Sequence, residues 1–241
     1  LPLISGSRLV VAKPDGHKDP VYLEQLININ KVSIIHFVPS MLNSMLESIG
    51  WNKLKSLRHV VCSGEALTKK SEERFKERSL SKLHNYYGPT EASVDVTAID
   101  LSVFPTLGAE VSIGKPVDNT SIYIVNQVYG LEPIGVLGEI LIGGDQVARG
   151  YLNQEQLSKE KFIVSPFKSG ERVYKTGDLG RWLSDGTIEF IGRKDDQVKI
   201  RGYRIELGEI EHALQGHQEI SSAVVVVKEN EIHEKELVAY I

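Results

Sequence analysis

Eleven residues, Asn85-Tyr-Tyr-Gly-Pro-Thr-Glu-Ala-Ser-Val-Asp95, gather the side chains best suited to chemistry. Gly88-Pro89 signals a turn, with paired rings before it and a hydroxyl (Thr90) and a carboxylate (Glu91) after it. A loop so composed can lay a flat ring on an aromatic face, offer a hydroxyl to a phosphate and a carboxylate to Mg²⁺. An ordinary strand–turn connection with Tyr86 and Tyr87 in the core fits the same residues. Three further stretches carry dense polar or glycine-rich wording. Gly138–Asn153 is a glycine-punctuated strand and loop. Tyr174-Lys-Thr-Gly-Asp178 sets an acid after a strand and turn, and Gly192–Gly202 (Gly-Arg-Lys-Asp-Asp-Gln-Val-Lys-Ile-Arg-Gly) is a polar run between strands. Each alone also reads as a turn or a solvated face.

The elements that must position these residues change texture along the chain. Ser7–Ala12, Val32–Val38, Leu57–Cys62 and Leu83–Tyr87 read as strands. Helices read over Asp19–Ile29, capped by Asp19 with Pro20 in the first turn, and over Thr68–Arg78. Another starts at Ser40, with Met41, Leu42, Met45, Leu46 and Ile49 as its apolar stripe before Gly50. This alternation predicts a parallel α/β sheet covered on both faces, with ligands at the carboxyl ends of its strands. From about Val111, glycine turns separate short strands: Ser121–Val125, Gly138–Ile142, Val173–Lys175, Arg181–Leu183 and Thr187–Ile191, an antiparallel sheet or small barrel. From Asp195 a hairpin (Gln197–Ile200, Tyr203–Ile205), a helix (Glu206–Leu214) and strands Ser222–Val227 and Glu236–Ile241 begin a small α+β unit. The expected fold class is α/β: a parallel sheet layer with helices, an antiparallel barrel-like sheet, then the start of a small α+β domain, divided at 1–110, 111–194 and 195–241.

The 241 residues suffice for a sizeable core, and 41% hydrophobic with 25% charged residues is ordinary for a globular chain. A net charge of −4 gives no general reason to bind nucleic acid or anionic membrane. The lone Cys62 excludes an internal disulfide and fits a reducing, cytoplasmic compartment. The seven histidines show no zinc spacing, and no apolar run approaches a membrane span. The chain opens without Met and stops inside a strand-like run, so it reads as a piece of a longer polypeptide.

Taken together and in order, Tyr87-Gly-Pro-Thr-Glu91, Gly138-Glu-Ile-Leu-Ile-Gly-Gly with Ala148-Arg-Gly-Tyr151, Tyr174-Lys-Thr-Gly-Asp178 and Gly192-Arg193…Gln197-Val-Lys-Ile-Arg-Gly202 resemble the adenylate-forming superfamily. The match is specifically to the amino-acid adenylation domains of nonribosomal peptide synthetases, and it covers essentially the whole chain. The resemblance implies ATP, AMP and Mg²⁺ as ligands, an amino acid as substrate and a phosphopantetheine-bearing peptidyl carrier domain as partner. Residue by residue it implies Tyr87 stacked on adenine, Asn85 on the adenine amino group and Gly64 close to the ring. Asp178 would take the ribose hydroxyls, Phe190 would pack at the nucleotide and Arg193 would reach the ribose–phosphate region. Thr90 would bind phosphate, Glu91 the Mg²⁺, and Asp195 would be the hinge to the small domain. Lys199 and Gly202 would lie on a hairpin that swings in for thioester formation.

His36, Val61, Ser63, Tyr86, Val94 and Asp95 would line the side-chain pocket. Its polar groups favour a small polar amino acid such as serine. Tyr86 departs from the smaller aliphatic residue expected there; as alternatives to serine, Asp95 suits the cation of ornithine, diaminobutyrate or lysine, and His36 suits glutamate. The family's phosphate loop and catalytic lysine are not among these residues, so residues 1–241 alone are expected to be inactive. An acyl-CoA ligase and a non-catalytic nucleotide-binding module are the alternative readings. Asp178, read as a turn residue, is expected to tolerate Ala without damage to the fold.

Overall fold

Local chemistry explains where the first helix begins and ends. In the computed structural model, which describes residues 2–48, 50–104, 106, 111–229 and 235–241, the Asp19 carboxylate accepts the Val21 and Tyr22 N–H groups at 3.0 and 3.1 Å. It caps α1 (Pro20–Asn30), whose Pro20 lacks an N–H that would have no partner there. Lys31, at φ 51°, ends the helix. Next come β1 (Ile34–Phe37), α2 (Pro39–Ser48), β2 (His59–Cys62), α3 (Lys69–Arg78) and β3 (Lys82–Tyr87). Ile49, expected in the apolar stripe of α2, lies outside the described residues.

β1, β2 and β3 pair in parallel, while β4 (Thr97–Asp100) and β5 (Lys115–Pro116) continue the sheet antiparallel. Residues 115–116, in the stretch assigned by texture to the second sheet, therefore belong to the first. Leu23, Ile27, Leu42, Met45, Leu46 and Phe75 of the three helices form one core with Phe37, Val60, Cys62, Leu83 and Ile99. The opposite face carries Ile34, His36, His59, Val61, His84 and Tyr86, none of them buried. Among the described residues the sheet is thus covered on one face, against the expectation of two. The strand order advances in one direction, and right-handed crossovers then place every connecting helix on the same side. Ser7–Ala12, expected as a strand, has no regular structure: Leu9 and Val11 are 57% and 78% exposed, and β-propensity without a neighbouring strand among the described residues does not make one.

The second sheet holds β6 (Thr120–Val125), β7 (Gly138–Gly144), β8 (Phe162–Val164), β9 (Arg172–Trp182) and β10 (Ile188–Arg193), all antiparallel, with α4 (Glu155–Lys161) leading into β8. β9 is one continuous strand where two had been expected. Its register slips between Glu139↔Leu179 and Leu141↔Lys175, which puts Thr176, Gly177 and Asp178 in a bulge. Asp178 therefore sits inside a strand and is 6% exposed. The sheets meet where Ile113 N–H donates to Ile188 O and Ile188 N–H to Gly114 O, both at 2.9 Å.

The remaining elements are the hairpin β11 (Val198–Ile200) and β12 (Tyr203–Ile205), α5 (Leu207–Gln215), and the antiparallel pair β13 (Val224–Glu229) and β14 (Lys235–Tyr240). Arg201 and Gly202 turn the hairpin with φ 51° and 78°, the positive pair that a tight two-residue turn requires. No helix among the described residues is long and apolar enough to cross a membrane.

Candidate active site

A cleft of about 1760 Å³ opens between the carboxyl ends of the first sheet, the end of β10 and the C-terminal hairpin. Gly64, Asn85, Tyr87, Asp178, Phe190 and Arg193 all line it, together with Tyr86, Asp195 and Lys199. Asp178 is its hub. The Tyr87 hydroxyl donates to one carboxylate oxygen at 2.5 Å and Arg193 Nη1 to the other at 2.6 Å. Arg193 also grips Asp195 in bidentate fashion, at 2.6 and 2.7 Å. Burial pushes the Asp178 carboxyl up, while the Tyr87 hydroxyl and the Arg193 charge pull it back. Burial likewise works against the Arg193 charge, and Asp195 and Asp178 outweigh it, so the guanidinium is held firmly protonated. Burial pulls the Lys199 ammonium below its usual range, and Asp178 opposes that pull.

These donors and acceptors fit a nucleoside. Asn85 Nδ2 donates to Ser112 O at 2.9 Å, so its side-chain oxygen is left to accept an exocyclic amino group. A carboxylate offers about four lone-pair positions, and the two contacts on Asp178 leave room for a pair of sugar hydroxyls. The Tyr87 and Phe190 rings, with centroids 6.1 Å apart, give the cleft an aromatic wall.

Glu91 lies outside that lining, at a junction of three parts of the molecule. Tyr151 donates its hydroxyl to Oε1 at 2.7 Å, Arg204 Nη1 reaches Oε1 and Oε2 at 2.8 and 3.0 Å, and the Glu91 carbonyl accepts the Ala148 N–H at 2.8 Å. Burial works against the carboxylate charge, but the Tyr151 hydroxyl, backbone hydrogen bonding and Arg204 outweigh it and hold the carboxyl below the usual range. With Arg204 on both oxygens, this arrangement does not fit Mg²⁺ at Glu91. No cluster of three or more His, Cys, Asp or Glu among the described residues makes another metal site. Thr90 is exposed at the start of the single turn Thr90–Ala92.

Of the residues expected to line a side-chain pocket, His36, Val61 and Tyr86 lie on the open face of the first sheet, Ser63 just past β2, and Val94 and Asp95 between the Thr90–Ala92 turn and β4. His36 Nε2 and Ser63 Oγ are 2.7 Å apart, and His36 pairs in register with Val61. Burial raises the Asp95 carboxyl, with His36 and Ser63 opposing, and its buried Oδ1 has no hydrogen-bond partner. Val94, 56% exposed, follows Ser93, and both have positive φ (80° and 60°), a strained course for a β-branched residue.

A stability prediction follows for Asp95. A carboxyl whose folded pKa is raised above its unfolded value of 3.8 costs stability as pH climbs through that window, because the native state then gives up a proton it holds more tightly. Asp95→Asn is therefore expected to unfold at a higher temperature than wild type at pH 7 and to match it below pH ~3.5. Thermal melts at the two pH values check this, and a less stable Asn variant at pH 7 contradicts it.

Three residues that tie distant segments together carry no role in the sequence reading, although Tyr151 closes one of its motifs. Tyr151 and Arg204 serve Glu91, and Glu65 accepts the Ser40 and Gly202 N–H groups. Tyr151 is itself fixed: its ring meets Phe162 edge-on at 5.4 Å, and Arg172 holds the loop before it through Ala148 O and Arg149 O.

Residues 1–152 match the family of AMP-binding enzymes. The chain belongs to the AMP-binding enzyme family. Tyrocidine synthase 3 of Brevibacillus parabrevis is 45% identical over 241 residues, all of this chain but 4% of that protein. Among solved structures, NpsA-ThdA, an artificially fused adenylation–PCP di-domain from Klebsiella oxytoca, superposes with a TM-score of 0.85 at 27% identity, over 98% of this chain and 47% of that one. Holo-AB3403, a four-domain nonribosomal peptide synthetase bound to AMP and glycine, matches at 35% identity and a TM-score of 0.73, over 99% and 18%. This AMP-binding chain thus has the fold of nonribosomal peptide synthetase adenylation domains and spans less than half the length of each of these relatives.

Proposed function

We propose that this chain is part of an ATP-dependent ligase that activates an amino acid and loads it on a carrier domain. In the first step an amino-acid carboxylate oxygen attacks the α-phosphorus of ATP and pyrophosphate leaves. In the second, the phosphopantetheine thiol attacks the acyl carbon and AMP leaves. The observation that carries this reading is the convergence of Gly64, Asn85, Tyr87, Asp178, Phe190 and Arg193 on one cleft. Asn85 accepts the adenine amino group, Tyr87 and Phe190 flank the base, Asp178 takes the ribose hydroxyls and Arg193 faces the ribose–phosphate. Fixed charges and donors of this kind supply most of the barrier lowering in such transfers. Thr90 is assigned to phosphate, and Glu91 is open to Mg²⁺ only with Arg204 withdrawn. In the docked arrangement Lys199 enters the cleft from the hairpin, which suits the second step.

The reading divides the chain into a core of two parts, 1–110 and 111–194, and a mobile unit, 195–241, hinged at Asp195. A cytoplasmic location accords with Cys62 as the single cysteine, which cannot form an internal disulfide. For the substrate, the His36–Ser63 pair and the unpartnered Asp95 oxygen favour a small polar amino acid, serine first. A purely apolar side chain would leave the buried Asp95 Oδ1 unpaired, and sites built around a polar substrate discriminate by roughly 10⁴-fold. Amino-acid-dependent ATP–pyrophosphate exchange by the complete synthetase, over the proteinogenic set and ornithine, tests the assignment. Serine is expected to lead, and a leading aliphatic or aromatic substrate would overturn it.

A further inference from the structure

Glu65 joins two segments far apart in sequence. Its Oε2 accepts the Ser40 N–H in the first turn of α2 at 2.9 Å, and its Oε1 accepts the Gly202 N–H at the tip of the β11–β12 hairpin at 2.7 Å. The hairpin tip can come this close only as glycine: φ is +78°, and a Cβ there would stand 2.8 Å from Val38 Cγ1. A second grip lies two residues on, where Arg204 meets Glu91. Gripped at both points, the hairpin presents Lys199 to the cleft that holds Asp178.

We propose that Glu65 is a positioning residue which, with Glu91, fixes the docked hairpin and so serves the carrier-loading step; this rests on the two-step activity proposed above. A carboxylate suits the task because each oxygen serves one N–H group, and hydrogen bonds to an ionised acceptor are the stronger kind. The amide of Gln has one acceptor oxygen for two donors, and Ala has none. A role limited to capping α2 would leave the hairpin and the balance between the two steps untouched.

The test compares wild type, Glu65→Ala and Glu65→Gln in the complete synthetase, with Arg204→Gln as the matching change on the hairpin side. Hydrogen–deuterium exchange of the peptide containing Gly202 reads docking without reference to activity. It is expected to quicken by about tenfold in Glu65→Ala, the size set by loss of one charge-assisted bond. Carrier loading is expected to fall by a similar factor while ATP–pyrophosphate exchange stays within about twofold. Arg204→Gln should give the same split. Unchanged protection at Gly202, or equal losses in both steps, overturns the proposal. A wild type without pyrophosphate exchange, whose Gly202 amide is nonetheless protected and is released by Glu65→Ala, sinks the two-step activity and leaves the clamp standing.

Discussion

Asp178→Ala is expected to cost about 3 kcal/mol of folding stability, the low end of the range for a buried ion pair that loses one partner. The carboxylate is 6% exposed and serves both the Tyr87 hydroxyl and Arg193. Its removal strands a buried hydroxyl and takes one of the two acceptors of Arg193 Nη1, which keeps the Thr176 carbonyl at 3.1 Å. Arg193 keeps Asp195, which limits the loss. For a chain of this length the melting temperature should drop by roughly 10 °C. This corrects the expectation, drawn from a turn reading of Thr-Gly-Asp, that the fold would be spared. Asp178→Asn retains an acceptor for one partner and should lose less, yet nucleotide affinity should still fall by about one to two decades. Urea titrations and nucleotide binding on both variants check this. An Ala variant as stable as wild type would show that Arg193 and Tyr87 do not depend on Asp178.

Gly114→Ala is the second large effect expected. Gly114 has φ +87°, and a Cβ there would lie 2.1 Å from the Ala98 carbonyl oxygen, a backbone atom that cannot swing aside. The strained backbone alone costs about 1–3 kcal/mol, and relief of the clash must separate β4 from the joint between the sheets. That joint includes Ser112, whose carbonyl orients Asn85 and whose hydroxyl donates to Ile188 O at 2.8 Å. A loss of at least about 3 kcal/mol in urea unfolding is expected, with weaker nucleotide binding. A loss below about 1 kcal/mol would mean that β4 gives way freely.

The lining of the cleft around Asp178 was legible in the sequence because its residues come in contiguous words. Asn85 and Tyr87 alternate along one strand and so share a face, and Asp178 and Arg193 end up opposite each other in the β9–β10 register. The environment of Asp178 was not legible. Whether Thr176-Gly177-Asp178 turns or bulges is decided by pairing with β7, not by the three residues themselves. The contacts of Tyr151, Arg204 and Glu65 were not legible for a related reason: they cross 60, 113 and 137 positions, and no local pattern encodes such partners. Ser7–Ala12 failed in the opposite sense, as a strand-forming composition with no neighbour to pair with among the described residues.

The central claim is that the cleft around Asp178 holds the nucleotide. Photolabelling of the complete synthetase with 2-azido-ATP tests it most directly, since the reactive group sits on the adenine ring. The label is expected on peptides containing Gly64 and Asn85–Tyr87, and excess AMP should abolish it. Label carried by other peptides, with these two unmodified, would contradict the account.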